Sequence, residues 1–314
     1  MSRIHEALKK AAEERAAKVA TEVEAVVAEV PSEQKLTSML RPEVAVALSI
    51  APPAAPPKAS PRIVTGVGVT PGFSYEELLK RGVQAEWKLD PSNSVFLNSR
   101  PGEGGPERFR TLRSRLYKMA STRKLKKVLI TSSVAAEGKT FVASNLAQSI
   151  IQQPELRVLL IDGDLRSPGL HLLFGAQSCP GLSDYLRGEA DEYGIIQKGS
   201  KENLFLIPGG NLVSNPSELL LSDRMKQLLN TVTPVFDWII VDSPPTLPVH
   251  DASLLADMVD GVLFVIRAGS TDVEIVERTA AEFQGKNLLG VVLNRVQKTD
   301  SYGEQYENYY GERD

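Results

Sequence analysis

A glycine, a lysine and a threonine stand together at positions 138 to 140, at the end of a loop of small residues. The apolar run at 128–130 predicts a strand before this loop, and a helix is expected to begin at Lys139, which is the context of a phosphate-binding loop. In such a loop, backbone N–H groups and the helix N-terminus point at one anion. Lys139 would add a positive charge for the β- and γ-phosphates, and the Thr140 hydroxyl is placed to bind Mg²⁺. Gly138 lets the backbone approach a phosphate because it has no Cβ.

Carboxylates follow two of the predicted strands. Asp162 and Asp164 come directly after the apolar run 159–161, and Asp242 follows the run 239–241. A carboxylate at a strand end beside a phosphate loop can hold Mg²⁺ directly or through water, because hard cations prefer oxygen ligands. One such aspartate alone could be a turn residue or a helix cap. Three of them beside a Gly-Lys-Thr loop predict a nucleotide and magnesium site, and Gly163 is expected to leave room there for a ligand or metal.

Short apolar runs and helical segments alternate along the predicted compact domain. Strands are predicted over 128–130, 157–161, 204–207, 238–241, 262–266 and 290–293, and further helices over 107–119, 181–187, 217–232, 251–257 and 272–283. Fully apolar runs that are spaced by helices are typical of an α/β fold whose mainly parallel sheet is covered on both faces. Ligands of such sheets bind at the carboxyl ends of the strands. The three aspartates are therefore expected to face the phosphate loop.

Composition limits the class of protein. The chain has 314 residues, of which 42% are hydrophobic and 24% charged, as in an ordinary soluble protein. A net charge of −3 predicts no general affinity for nucleic acid. The single cysteine, Cys179, excludes an intrachain disulfide and is typical of a reducing compartment. Because no apolar run has the length of a membrane span, we expect a cytoplasmic protein that reaches a membrane at most through a partner or a surface helix.

The chain is expected to have four regions. Residues 1–30 are expected to form an amphipathic helix. Residues 31–97 are expected to form a Pro/Ala-rich linker that is largely disordered, because the Ala-Pro-Pro repeats at 51–57 favour polyproline II and no packed core. Residues 98–297 are expected to form the compact domain. Residues 298–314 are expected to be a flexible tail, since they have no apolar residues with which to build a core.

The predicted tail and the start of the predicted domain carry opposite charge. From Asp300 onward there are five acidic residues and one arginine, together with half of the tyrosines of the chain, Tyr302, Tyr306, Tyr309 and Tyr310. Tyrosines on a mobile acidic segment are typical of a substrate rather than of a core. The stretch from Arg108 to Lys127 contains nine lysines or arginines and no acid. It is either an ordinary solvated surface or a docking surface for an acidic segment such as the tail.

Five segments together resemble one family. They are EGKT with LLIDGDLRSPGLH, then WIIVDSPP, then VIRAGST, then the leading ERFRTLRSRL, and last the tyrosine-rich tail. In this combination the chain resembles the bacterial tyrosine kinases of capsule and exopolysaccharide systems, the CpsD, CapB and Wzc cytoplasmic-domain family, over roughly residues 98–314. The N-terminal SRIHEALKKA is similar to family members beside exosortase-type polysaccharide loci. The resemblance implies a P-loop NTPase of the MinD/ParA type that binds ATP and Mg²⁺.

The resemblance also implies roles for individual residues. The Walker A residues in contact with the nucleotide would be Ser133, Ala135, Ala136, Glu137, Gly138, Lys139, Thr140 and Phe141. Catalysis would depend on Lys139 and on Asp162 and Asp164 of the second motif, Walker A′, with Asp162 as the base toward a tyrosine hydroxyl. Asp242 would be the Walker B residue, and Mg²⁺ would be held by Thr140 and the three aspartates. Ser133 and Ala136 stand where the family more often has Gly or Pro, which is expected to alter nucleotide affinity at most.

Two further sets of residues are implied by the resemblance alone. Asn294 and Arg295, after the last predicted strand, fall where the family meets the adenine. Glu107, Arg110 and Arg113 match the E-x-x-R-x-x-R segment that builds subunit contacts in a ring. The implied homo-oligomer is a ring while the tail is unphosphorylated.

The resemblance implies an autokinase that phosphorylates its tail tyrosines in trans and regulates polysaccharide polymerisation and export. Its implied partners are a Wzz-like membrane polysaccharide co-polymerase, which activates it at the inner face of the plasma membrane, and a cognate tyrosine phosphatase. Two alternatives remain open. A MinD/ParA-like positioning ATPase usually has a lysine where this chain has Val134, and it has no use for a tyrosine cluster. A nucleotide-gated adaptor without activity would not need the intact Lys139 and its three aspartates.

Overall fold

The structure is a computed structural model, and it describes residues 73–97, 104–199, 201–283 and 285–296. Within these residues eight strands form one sheet. The strands are β1 (Val83–Gln84), β2 (Lys127–Ser132), β3 (Val158–Asp162), β4 (Gln197–Lys198), β5 (Leu204–Ile207), β6 (Trp238–Asp242), β7 (Gly261–Arg267) and β8 (Leu288–Asn294). Their order across the sheet is β1–β4–β5–β3–β6–β2–β7–β8. All neighbouring pairs are parallel except β4 and β5, which confirms the predicted mainly parallel sheet.

Helices of the described residues cover both faces of this sheet. They are α1 (Tyr75–Arg81), α2 (Gly104–Ala120), α3 (Lys139–Ile150), α4 (Leu170–Phe174), α5 (Leu182–Leu186), α6 (Glu192–Ile195), α7 (Pro216–Leu221), α8 (Asp223–Val232), α9 (Asp251–Ala256) and α10 (Val273–Ala281). Successive strand residues point to opposite faces, so Val128 and Ile130 belong to the core that includes residues of α2 and α3. Leu129 belongs to the core on the other face, which includes residues of α5, α8 and α9. Each face of β2 is therefore buried, and the end of the strand is fixed in place.

The prediction of one helix over 217–232 is wrong in one respect, because the segment forms two helices, α7 and α8. Ser222 has an extended backbone (φ −63°, ψ 153°) between α7 and α8. Its hydroxyl donates a hydrogen bond to the Leu219 carbonyl at 2.6 Å. A serine side chain that bonds to the backbone competes with the helical hydrogen bonds, and here it accompanies the break.

Residues 73–97 are part of the fold, so the predicted linker over 31–97 extended too far and the domain does not begin at residue 98. Ser74 caps α1 by accepting a hydrogen bond from the N–H of Glu77. β1 pairs with β4, and the side chains of Leu78 and Trp87 are buried. The sequence predicts a short helix within 75–87, and α1 confirms it. β1 and β4 are two residues long and depend on tertiary partners, so no regular period in the sequence indicates them.

The last part of this segment is attached to α3. The side chain of Asn145 accepts a hydrogen bond from Val95 N at 2.9 Å and donates one to Asn93 O at 2.9 Å. The Ser94 hydroxyl donates to Gln148 Oε1 at 2.6 Å. Asn145 and Gln148 are both buried. Residues 93–95 therefore hold the second half of α3, the helix that follows the phosphate loop.

Some predictions lie outside the described residues. These are the helix over 1–30, the linker up to residue 72 and the tail with Tyr302, Tyr306, Tyr309 and Tyr310. None of the helices in the described part of the chain combines the length with the apolar character that a membrane crossing requires.

Candidate active site

The loop between β2 and α3 has the shape of an anion-binding turn. Ala136 (φ 65°) and Gly138 (φ 94°) both adopt left-handed backbone conformations, and Gly138 is the residue before the first turn of α3. The left-handed conformation costs an alanine roughly 1–2 kcal/mol relative to the right-handed one. The surrounding contacts must therefore hold the loop in this shape.

Glu137, between these two residues, turns its side chain into the protein interior. The carboxylate is 1% exposed and accepts hydrogen bonds from Val134 N at 2.8 Å, from Arg267 N at 3.2 Å and from the Thr271 hydroxyl at 2.6 Å. The Glu137 carbonyl accepts a further bond from Asn294 Nδ2 at 2.8 Å. If Glu137 contacts a nucleotide, it does so through its backbone.

Lys139 lies among carboxylates at the carboxyl ends of the central strands. Its Nζ is 2.9 Å from Asp164 Oδ2, 3.9 Å from Asp242 Oδ2 and 3.3 Å from Thr140 Oγ1. Burial alone would lower the pKa of the Lys139 ammonium, but the charges of Asp242 and Asp164 raise it above its ordinary value. Lys139 is therefore a stable cation at the position predicted for the phosphates.

Asp162 and Asp242 lie opposite each other on neighbouring strands β3 and β6. Asp162 is fully buried, and its Oδ2 accepts hydrogen bonds from the backbone N–H groups of Gly169 and Leu170 at 2.9 and 3.0 Å. Burial, followed by the charge of Asp242, raises the pKa of the Asp162 carboxyl to about 7. A carboxylate in this state is held in one position and can accept a proton near neutral pH.

Asp242 has the carboxylate with the fewest hydrogen bonds of the three. It is 1% exposed, and neither oxygen has a hydrogen-bond partner among the described residues. Burial raises the pKa of Asp242 to about 6, and the Lys139 charge acts in the opposite direction. Two buried acceptors without donors are what a hard cation would satisfy, so the site fits Mg²⁺.

The described residues contain no group of three His, Cys, Asp or Glu side chains that would hold a metal by themselves. Asp164 is partly engaged, because its Oδ1 accepts a hydrogen bond from Ser167 N at 3.0 Å while Oδ2 faces Lys139. Magnesium in phosphoryl-transfer sites usually takes one or two carboxylates together with phosphate oxygens and water. Asp242 and Thr140 together fit such a partial ligand set better than all four predicted ligands do. The four-ligand set of Thr140, Asp162, Asp164 and Asp242 remains a prediction.

Gly163 does not leave room for a ligand or metal, and that expectation is wrong. Its N–H donates a hydrogen bond to Asp242 O at 2.8 Å, and a Cβ at this position would lie 2.7 Å from the same oxygen. Leu255 Cδ1 would be 3.1 Å away. Glycine is required here because the backbone of β6 and a side chain of α9 pack against it.

Two of the predicted nucleotide contacts have other partners in the structure. The Phe141 ring packs edge-on against Phe109 of α2, with 6.0 Å between the ring centroids. Asn294 contacts the phosphate loop through Glu137, and its Oδ1 accepts a hydrogen bond from Arg295 N at 2.9 Å. The adenine contact of Asn294 and Arg295 remains a prediction, and so do the loop contacts of Ser133 and Ala135. The Ser133 hydroxyl is buried and 2.8 Å from the Thr279 hydroxyl.

The three residues predicted for subunit contacts divide into two groups. Glu107 and Arg110 are exposed on α2 and form an ion pair with each other. Arg113 is partly buried, and its guanidinium donates a hydrogen bond to the Ser149 carbonyl at 2.5 Å. Arg113 thus holds α2 against the last turn of α3.

Sequence reasoning missed the turn after β5. A Cβ on Gly209 would lie 2.6 Å from Pro168 Cβ and 3.8 Å from Asp162 Cγ, so this turn closes one side of the Asp162 carboxylate. It also missed Arg166, whose guanidinium binds the buried Asp251 at 2.8 Å and the Ser217 hydroxyl at 2.9 Å. The Pro-Gly-Gly run directly after a predicted strand was a usable signal for the turn.

Comparison of the chain with known proteins also indicates a nucleotide-binding domain. Residues 128–313 match the family model described as "CobQ/CobB/MinD/ParA nucleotide binding domain". The chain is 34% identical over 225 residues to "Tyrosine-protein kinase YwqD" of Bacillus subtilis, covering 70% of this chain and 92% of YwqD. It is 37% identical over 208 residues to "Tyrosine-protein kinase etk" of Escherichia coli, covering 66% of this chain but only 28% of Etk. The solved kinase domain of Escherichia coli ETK superposes with a TM-score of 0.59 at 36% identity, over 65% of this chain and 82% of that chain.

Proposed function

The chain belongs to the bacterial tyrosine-protein kinases, and we propose that it transfers the γ-phosphoryl group of ATP to tyrosines near its own C-terminus. One observation carries the proposal: Lys139 meets Asp164 and Asp242 at the carboxyl ends of the central strands, directly beside the phosphate loop. This arrangement brings a cation, a loop of backbone donors and open carboxylate oxygens to one place. It is what phosphoryl transfer requires, because that reaction depends almost wholly on positioning and charge stabilisation.

Each part of the site has a task in this reaction. Lys139 and the backbone N–H groups of the loop hold the phosphates, and Asp162 receives the proton of the attacking tyrosine hydroxyl. The new bond joins the tyrosine oxygen to the γ-phosphorus while the bond to the ADP oxygen breaks. Asp242 and Thr140 would hold Mg²⁺, which would supply neutralisation of the negative charge on the phosphates. The hydrogen bonds from Gly169 and Leu170 keep the Asp162 carboxylate in place before the substrate arrives.

The substrate is proposed to be the segment with Tyr302, Tyr306, Tyr309 and Tyr310, phosphorylated in trans. A mixing experiment separates trans from cis transfer. One partner carries Lys139→Met and keeps its tyrosines, and the other keeps its site but has all four tyrosines changed to phenylalanine. With Mg-ATP, mass spectrometry should find phosphate on the tyrosines of the Lys139→Met partner, although neither protein alone becomes labelled at these positions.

The wild-type protein, incubated alone with Mg-ATP, is the positive control for that experiment. Labelling of the wild type without labelling in the mixture would show that transfer occurs within one chain. ATP hydrolysis without any phosphotyrosine would contradict the kinase proposal and favour a MinD/ParA-like positioning ATPase.

We further propose that unphosphorylated subunits associate in a ring through the exposed side chains of Glu107 and Arg110. Within one chain these two side chains neutralise each other at the surface, and exposed ion pairs are worth little to a single subunit. They are therefore free to exchange partners with a neighbouring copy. Arg113 supports the ring only indirectly, by holding α2 in position. Phosphorylated tails would leave a neighbour's site because their added charge is repelled by nucleotide phosphates and carboxylates at low dielectric.

The ring is testable by light scattering on the unphosphorylated protein. Arg110→Glu should reduce the molar mass toward that of a single chain, because it places two like charges on the proposed contact. Arg115→Glu, an equal charge change at another exposed position of α2, is the matched control and should leave the mass unchanged. Treatment of the wild type with Mg-ATP should also lower its mass. A mass that Arg110→Glu does not alter would contradict the proposed contact.

The wider setting is proposed from the sequence resemblance. A Wzz-like membrane protein would complete the nucleotide site at the inner face of the plasma membrane, and a tyrosine phosphatase would reverse the reaction. The cycle of phosphorylation would then regulate exopolysaccharide polymerisation and export.

A further inference from the structure

We infer that Glu137 is a positioning residue for nucleotide binding, because its buried carboxylate holds the phosphate loop in shape from the side of β7 and α10. The inference rests on the proposed nucleotide site and adds to it a residue that does not touch the nucleotide through its side chain.

The Glu137 carboxylate joins two segments that are far apart in the chain. Oε2 accepts a hydrogen bond from Val134 N, at the start of the phosphate loop itself. Oε1 accepts one from Arg267 N, at the end of β7, and one from the Thr271 hydroxyl, before α10. Since the side chain is buried, these bonds are not exposed to competition from bulk water. The carboxylate is thus a cross-link between the loop and the turn that follows β7.

The backbone on either side of Glu137 explains why the loop needs such an anchor. Ala136 and Gly138 both have left-handed conformations, and a non-glycine residue keeps that conformation only where its surroundings enforce it. The Glu137 side chain and carbonyl are both held, the carbonyl by Asn294 Nδ2 at 2.8 Å. The Asn294 amide also occupies the space into which a Cβ at position 138 would project. The peptide between the two left-handed residues is therefore fixed from β7 and from β8.

A fixed loop has a direct consequence for binding. Its N–H groups are already arranged for an anion, so the nucleotide does not have to order them when it binds. Pre-organisation of this kind increases affinity because the ordering cost does not fall on the binding step. Glu137 is expected to act on the affinity for nucleotide more than on the chemical step.

The hydrogen-bond chemistry requires a carboxylate rather than an amide. Both backbone partners are N–H groups, which can only donate, and they lie on different oxygens of Glu137. A glutamine has one acceptor oxygen and an NH₂ group, so in either orientation it would face one of these N–H groups with a donor. The same contacts argue against a role as catalytic base or metal ligand, because both oxygens already accept hydrogen bonds from the protein.

The test is the affinity of the full-length chain for Mg-ADP, measured by isothermal titration calorimetry. Glu137→Gln should weaken binding by about tenfold or more, since a buried N–H left without an acceptor costs on that order. The control is Asp260→Asn, which also replaces a carboxylate by an amide, at the opposite end of β2. Both of its backbone donors, Lys126 N and Lys127 N at 2.9 and 2.8 Å, lie on Oδ2, so a single amide oxygen can still accept them. Asp260→Asn removes the ion pair with Lys127 Nζ at 3.7 Å and should lower the melting temperature slightly, but it should change the ADP affinity by less than about twofold.

Steady-state kinetics supply a readout that general destabilisation would not move. Glu137→Gln should raise the KM for ATP by a larger factor than it lowers kcat. Thr271→Val, which removes a single hydrogen bond at constant shape, should weaken Mg-ADP binding by about threefold, and it decides the matter if Glu137→Gln does not fold. Affinity within about twofold of wild type in a folded Glu137→Gln protein would overturn the inference.

Failure of the kinase proposal would look different. A wild-type chain that binds Mg-ADP tightly but labels no tyrosine would refute the proposed reaction while leaving the role of Glu137 testable by binding. A wild-type chain that binds no ADP at all would refute the proposed nucleotide site, and the inference with it.

Discussion

Asp162→Asn is expected to lower the rate of tyrosine phosphorylation by about a thousandfold or more, while the protein stays folded and binds Mg-ADP. Asparagine cannot accept the proton of a tyrosine hydroxyl, although it can still accept the N–H groups of Gly169 and Leu170 at its single oxygen. The substitution also removes one of two carboxylates that lie opposite each other on β3 and β6. Asp164 N donates a hydrogen bond to the other oxygen, Oδ1, of Asp162 at 3.2 Å, and an amide NH₂ group there would be less favourable. Relief of the repulsion between the two carboxylates offsets this loss. The melting temperature of the nucleotide-free protein should therefore change by only a few degrees.

Initial rates of phosphotyrosine formation, taken at saturating ATP, measure this effect. Asp184→Asn is the matched control, since Asp184 is also buried and accepts a backbone N–H, that of Gly181, at 2.7 Å. The control should keep a rate near that of wild type. An Asp162→Asn protein with a wild-type rate would show that another group accepts the proton.

Lys139→Met is expected to lower kcat/KM for ATP by about a thousandfold and, unlike Asp162→Asn, to lower the melting temperature markedly. The reason is that the ammonium group lies 2.9 Å from Asp164 and 3.9 Å from Asp242. Without it, two buried carboxylates have no cation between them, and an incoming triphosphate meets only negative side chains. Loss of one partner of a buried ion pair costs about 3–5 kcal/mol, because the remaining charge is left uncompensated.

Calorimetric titration with Mg-ATP and thermal unfolding without nucleotide measure the two effects separately. Lys126→Met is a suitable control, because the partners of Lys126 Nζ in the described part of the chain are the backbone carbonyls of Thr233 and Phe236, at the opposite edge of the sheet. It should leave nucleotide affinity unchanged. Wild-type affinity in the Lys139→Met protein would mean that Lys139 does not hold the phosphates.

The central part of the fold was predictable because its strands are fully apolar. Val128 to Ile130, Leu159 to Ile161 and Ile239 to Val241 have no exposed side chains, and runs of this kind have few alternatives to a buried strand. Once the sheet is parallel, its carboxyl ends share one edge. The meeting of Lys139 with Asp164 and Asp242 then follows from the order of motifs along the chain.

The elements that sequence reasoning missed depend on partners far away in the chain. β1 and β4 are two residues long, and their pairing comes from the packing of α1 and Trp87 rather than from any period. Glu137 would be expected at a surface, as charged residues usually are. Its burial depends on donors at Arg267 and Thr271, about 130 residues later. Asn145 likewise gains its role only because residues 93–95 return to α3.

The strand order also determines when the domain can fold. β2 pairs with β6 on one side and with β7 on the other, and Lys127 and its partner Ile239 are separated by about 110 residues. Loop-closure entropy opposes such distant contacts until many of them form together, so domains of this topology fold slowly. On the ribosome, the strand before the phosphate loop has no neighbour to pair with until most of the domain has been made. The nascent chain therefore leaves the apolar residues Val128 to Ile130 of β2 unpaired while about 110 further residues are made, which makes it a natural client for chaperones.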